Sequence, residues 1–245
     1  MSGAYTICTE LRSYGPTGYE PRTDGVSGND LGTDSYLTVK GPVEHEIEVK
    51  KSRFLCSIAR VEDEGEAQAF IASVRKRYWD ARHNCTAYVI GDHPRRERSN
   101  DDAEPAGTAG APMLEVLRRR GLTDTVAVVT RYFGGVLLGA GGLVRAYGGA
   151  VSAALDQAVV VERQLVAVFE VGTDHARAGR LENDLRAAGH VVRDVRYTAS
   201  GVCFDIGVPE AGVGAFEAWV AAASAGSAQV ERSGTDHLDV PFAGR

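Results

Sequence analysis

What the 245-residue sequence lacks narrows it first. Its four cysteines, Cys8, Cys56, Cys85 and Cys203, are scattered and form no Cys-x-x-Cys pair. Zinc-ribbon, iron–sulfur and thioredoxin-type sites therefore lack their basic unit. No apolar run approaches the roughly 20 residues that a helix needs to cross a bilayer, so no membrane partner is expected. The N-terminal MSGAYTICTELRSYGPTGYEP shows neither a basic n-region nor an apolar h-region, and a secretory signal is not expected. With 27 basic and 33 acidic side chains the net charge is −6, so no uniform positive field exists to hold a long polyanion. What remains is an ordinary globular composition, 44% hydrophobic and 24% charged. A chain of this length buries a core without disulfide or metal staples, and a reducing cytoplasm is the expected compartment.

Charge divides the chain. Residues 1–45 hold three basic and six acidic groups, residues 46–164 hold 17 and 16, and residues 165–245 hold 7 and 11. The first 35 residues are rich in Gly, Ser, Thr and Asp without apolar periodicity, and read as a disordered extension. A first domain is expected over 36–163. EIEVKKSRFLCSIARV reads as one or two strands, and Ala67, Phe70, Ile71, Val74 and Tyr78 make one helical stripe. HNCTAYVIGD reads as a strand, HPRRERSNDDAEPAGTAG as a polar loop, and Pro112 as part of a short helix's first turn. TDTVAVVTRYF is the most β-like stretch. It leads through GGVLLGAGGL into a long helix with Leu143, Ala146, Tyr147, Ala150, Val151, Ala154 and Leu155 at helical spacing. The class is α+β, with helices expected on one face of the sheet. A second domain over 164–245 reads β-α-β-β-α-β, the ferredoxin-like order.

The chemistry could reside in three places. GGVLLGAGG, between a buried strand and a long helix, invites a phosphate reading through Gly134, Gly135, Gly139, Gly141 and Gly142. Neither nucleotide fingerprint is complete, because Ala140 stands where a Walker loop needs Lys, and Val144 where a dinucleotide loop needs Gly or Ala. No cofactor and no metal is expected, and tight packing with positive-φ turns competes with anion contact. Arg131 and Arg145 flank the loop, as phosphate contacts or as ion-pair partners of Asp101, Asp102 or Glu104. Those three carboxylates could cap and pair, bind a hard cation, or serve as an acid/base pair. His83 and Cys85 lie on one face of a strand, with a buried polar pair outweighing a catalytic one. No catalytic residue is assigned.

Four segments in order, KKSRF (50–54), DARHNCTAYVIGD (80–92), DDAEPAGTAGAPMLEVL (101–117) and TRYFGGVLLGAGGLVRAYG (130–148), resemble the YigZ/IMPACT family. The similarity spans roughly residues 36–245. It departs at Ala103, where the family usually has Gly, a change that costs about 1 kcal/mol if the position needs positive φ. The resemblance implies a first domain with the fold of the second domain of a small-subunit ribosomal protein. It also implies a ferredoxin-like second domain similar to one in elongation factor G. A role near translation follows from it, since eukaryotic relatives restrain a starvation-sensing kinase by binding its ribosome-associated activator. The expected partner is RNA, the ribosome or a translation-regulatory protein, met by Arg131, Arg145 and the glycine loop, with His83, Asp101, Asp102 and Glu104 beside them. The competing readings are an enzyme on a phosphate-containing or nucleotide substrate, and a pure protein-interaction module.

Overall fold

A computed structural model describes residues 35–91 and 95–242. The extension expected to be disordered therefore lies outside the described residues, except for Ser35. Two compact units result among the described residues, one of residues 35–163 together with residues 239–242, the other Gln164–Leu238. In the first unit the chain runs β1 (Ser35–Val39), β2 (Val43–Val49), β3 (Ser52–Arg60), α1 (Glu64–Arg77), β4 (His83–Ile90), β5 (Arg96–Asn100), α2 (Gly110–Arg119), β6 (Thr125–Tyr132) and α3 (Ala140–Leu155). There follow β7 (Val160–Thr173), α4 (His175–Ala187), β8 (Val191–Tyr197), β9 (Val202–Pro209), α5 (Val213–Ala223) and β10 (Gln229–Pro241).

The first sheet has the order β2-β3-β6-β4-β5, and its neighbours are antiparallel. Its central strand, TVAVVTRY, is buried along seven of its residues, which requires cover on both faces. Ala127 and Val129 pack with Tyr147, Ala150 and Val151 of α3 and Met113 and Leu117 of α2. Val126 and Val128 point the other way and pack with Ala67, Ile71 and Val74 of α1. The α+β class is as expected, but the helices are not confined to one face: α1 covers the second. The unbroken apolar run Val126–Val129 of β6 is the physical reason, because a sheet covered on one face would leave Val126 and Val128 in water.

Two strands lie where none was expected. β5 is RERSN, entirely polar, and pairs only with β4 at the sheet edge. Its ladder is built from backbone groups that carry no hydrophobic pattern. β1 lies just past the expected extension. The helices match their stripes: the seven apolar residues at helical spacing along α3 are its seven buried residues.

Antiparallel pairing brings four connections to one end of this sheet. These are the Lys50–Lys51 hairpin, the α1–β4 turn over 78–82, residues 101–109, and residues 133–139. In the second unit β8, β9, β7 and β10 pair in the order β8-β9-β7-β10. α4 and α5 bury Leu181, Leu185, Phe216 and Val220 against Phe169, Phe204 and Ile206. The expected ferredoxin-like order is present.

Candidate functional site

The acidic loop turns its carboxylates inward. Ala109, at the N-cap of α2, has no side-chain oxygen to offer the helix, and Asp101 supplies one from the preceding loop. Its Oδ1 accepts from the Ala109 and Gly110 N–H groups at 3.0 and 2.8 Å, and its Oδ2 from Gly107 N–H at 2.7 Å. Burial pushes this carboxyl's pKa up, but the three N–H donors together outweigh it and hold the pKa below the ordinary aspartate value. Asp102 accepts from Asn84 N–H at 2.6 Å and from the Arg75 guanidinium at 3.2 Å. Its backbone carbonyl lies 2.9 Å from His83 Nδ1, which fixes the ring as an Nδ1–H donor. Asp102 and Ala103 have φ of 44° and 67°, so the position usually held by glycine does need the left-handed region.

Glu104 is the buried member, with its side chain 4% exposed against 8% for Arg131. Its Oε1 accepts from Arg131 Nη1 and from the Tyr147 hydroxyl, each at 2.7 Å. The Arg131 guanidinium also lies 5.5 Å from the Phe54 ring centroid and 5.7 Å from that of Phe133. Arg131 is thus not the exposed anion contact expected beside Arg145. It is neutralised beneath the surface, because a strand residue facing the α3 side of a two-faced sheet is covered. Cys85 donates to the Asp101 carbonyl at 3.0 Å, and burial pushes its thiol up to about 12. It holds negligible thiolate and forms no nucleophile–base pair with His83.

The glycines are used in three ways. A Cβ on Gly134 would sit 2.0 Å from the carbonyl carbon of Lys51, so only glycine lets this loop lie on the hairpin backbone. A Cβ on Gly142 would lie 2.9 Å from Leu138 Cβ. Gly135 and Gly139 have φ of 83° and 73°. Gly141 is exposed, with Arg145 Nη1 3.7 Å from where its Cβ would be. Arg145 is itself exposed, without an ion pair or hydrogen bond among the described residues.

Reasoning from sequence missed Lys50 and Lys51 as site residues. They form the two-residue turn of the β2–β3 hairpin, where Val49 pairs with Ser52, and both have positive φ, 49° and 66°. Such a turn favours Asn-Gly. Two lysines in a strained turn, at the head of a segment already noted as characteristic, were the available signal. Phe133 at 56%, Leu137 at 83% and Trp79 at 82% exposure were missed as well. The sheet end therefore shows cations and apolar side chains outward, while the carboxylates of the 101–104 loop are engaged by donors of the protein itself. No cluster of three or more metal-ligating side chains occurs among the described residues.

Residues 50–155 match the Impact N-terminal domain, and residues 171–227 a domain of unknown function, DUF1949. The chain is 46% identical over 205 residues to the IMPACT family member YvyE of Bacillus subtilis, covering 84% of this chain and 94% of that one. The chain belongs to the IMPACT family. It is also 39% identical to YigZ of Escherichia coli, over 80% of this chain and 97% of the relative. A crystal structure described as a hypothetical protein aligns with a TM-score of 0.55 at 38% identity, over 82% of this chain and 98% of that one. The Impact N-terminal match begins at Lys50 and takes in all four connections at the sheet end. No helix among the described residues is long and apolar enough to cross a membrane.

Proposed function

We propose that this IMPACT family member is a cytoplasmic, non-catalytic binding protein of the translation machinery, contacting RNA or the ribosome. The contact surface is the end of the first sheet, formed by Lys50, Lys51, the loop from Gly134 to Gly139, and Arg145. One observation carries the reading. Asp101, Asp102 and Glu104 are each held by donors of the protein itself, while Lys50, Lys51 and Arg145 face outward and meet no acidic partner among the described residues. A surface so arranged is locally positive although the chain carries −6, which suits a short phosphate-bearing segment rather than a long groove. The resemblance of its motifs to a family with roles near translation gives the class of partner. The carboxylates' internal bonds weigh against the alternative of an acid/base enzyme on a nucleotide.

Co-sedimentation with ribosomes and titration with RNA at increasing salt test the proposal. Affinity is expected to fall with salt as counterions are released. Arg145→Ala is expected to weaken binding on any sequence and make the salt slope shallower by roughly 0.7–1 unit. A folded Arg145→Ala variant that binds as wild type at every salt concentration sinks the assignment. A divalent-metal-dependent turnover lost in Asp102→Asn would carry the case to the enzyme reading instead. Salt-insensitive capture of a translation-regulatory protein would favour the interaction module.

A further inference from the structure

The sheet end carries rings as well as charges. Trp79, in the turn after α1, is 82% exposed and Phe133, at the start of the glycine loop, is 56% exposed. Tryptophan is a residue that folded chains bury for most of its surface. The two are joined through β6: the Tyr132 hydroxyl donates to Asp80 at 2.8 Å, Trp79 precedes Asp80, and Phe133 follows Tyr132. The Tyr132 ring itself lies 5.6 Å from the Arg53 guanidinium. Arg82 is exposed in the same turn as Trp79, and like Lys50, Lys51 and Arg145 it forms no ion pair or hydrogen bond among the described residues.

Accepting the RNA reading above, on which this rests, we infer that the sheet end binds single-stranded RNA, with unpaired bases stacking on Trp79 and Phe133 and phosphates meeting Lys50, Lys51, Arg82 and Arg145. Bases in a duplex present only their edges, whereas rings that stand open at a surface need bases whose faces are exposed. Rings interleaved with unneutralised cations are the arrangement by which single strands are held without sequence readout. Exposed aromatic side chains also anchor protein partners. A protein anchor is usually ringed by matched polar groups, however, and here four cations without a partner among the described residues face the one turn carboxylate, Asp80, which is held by the Tyr132 hydroxyl. The patch is short, so it fits a few nucleotides in a loop or bulge.

The test uses the full chain. A labelled oligouridylate and a duplex of the same length are titrated in parallel, read by anisotropy. Trp79 emission is followed in a Trp219→Phe background, whose fold is confirmed by its thermal midpoint. The expected result is preference for the single strand with quenching of Trp79. Trp79→Ala and Phe133→Ala are each expected to weaken binding roughly 5- to 150-fold, and Trp79→Phe to restore most of the loss. Trp79 is exposed enough for its variant to keep the wild-type midpoint, and the fold of Phe133→Ala, which loses the ring beside Arg131, is confirmed by its own midpoint. Equal binding of duplex and single strand without quenching overturns the stacking inference and leaves the RNA reading standing. Binding to neither, with Arg145→Ala without effect, overturns both. Trp79 quenched only by a protein partner assigns the rings to a protein interface and overturns the inference.

Discussion

At the scale of single residues, the candidate site separates side chains that build the surface from those that form it. Glu104, Arg131 and Tyr147 belong to the first group. Sequence identified the arginine and the glutamate, and even named their pairing as one option, but could not tell a buried ion pair from an exposed anion site. That distinction depends on which face of β6 Arg131 takes and on the loop that lays Glu104 over it, and neither was legible locally. Glu104→Ala strands the Arg131 charge in an apolar setting, and a loss of about 3–5 kcal/mol is expected in urea unfolding. Glu104→Gln keeps a carbonyl acceptor for the Tyr147 hydroxyl and should lose less. A Glu104→Ala protein as stable as wild type would mean that water reaches Arg131. Ala103 was legible in full: its φ of 67° realises the cost expected for a departure from glycine. Ala103→Gly should therefore stabilise by about 1 kcal/mol, again read by urea unfolding. No change in the midpoint would show that the loop relaxes around alanine.

At the scale of elements, periodicity was read well where burial is one-sided and poorly where it is absent. The stripe of α3 fixed all of its buried positions, and Gly121, just past α2, takes a φ of 66°, the left-handed conformation in which glycine closes a helix. β5 escaped because RERSN offers no apolar residue, and its pairing rests on main-chain groups alone. The β2–β3 hairpin was half legible, as one or two strands, since Lys50–Lys51 is an unusual filling for a turn with two positive φ values. The strain held there is explained if the lysines serve the surface rather than the fold. Replacing them together, Lys50→Asn with Lys51→Gly, should raise stability by roughly 1–2 kcal/mol. The same variant should bind RNA more weakly, with a shallower salt slope. Unfolding and a salt titration on one preparation decide the matter. A variant both more stable and fully competent in binding would remove the hairpin from the site.

At the scale of the whole molecule, the chain's division follows where its cores are. The first core draws on β2, β3, β4, β6, α2 and α3, and α1 closes a separate cluster on the other face. The second core is built wholly between Ala167 and Ala228, and so has no need of the first unit's side chains. The two-domain order was legible because each half carries its own alternation of helical and strand periods. The path of the end of the chain was not, since the segment after the last strand's midpoint has no pattern that names its neighbour. There Arg60 pairs with Asp239 at 2.7 Å, and Arg163, 10% exposed, reaches Glu62 at 2.8 Å and Asp239 at 4.0 Å. Phe242 joins Leu37, Leu122, Leu155 and Val160 around one small cavity of the first unit. Residues 164–238 expressed alone should accordingly give dispersed amide NMR signals, because every member of their core is retained. Residues 36–163 alone should also fold, but with a midpoint several degrees below that of the intact chain. They leave the Arg163 guanidinium short of one carboxylate and uncover the Phe242 contact. Adding the C-terminal segment back to the first unit through a short Gly-Ser linker should recover the lost degrees. Equal midpoints with and without the segment would show that its contacts are too exposed to contribute, and a collapsed, undispersed 164–238 piece would refute the independence of the second core.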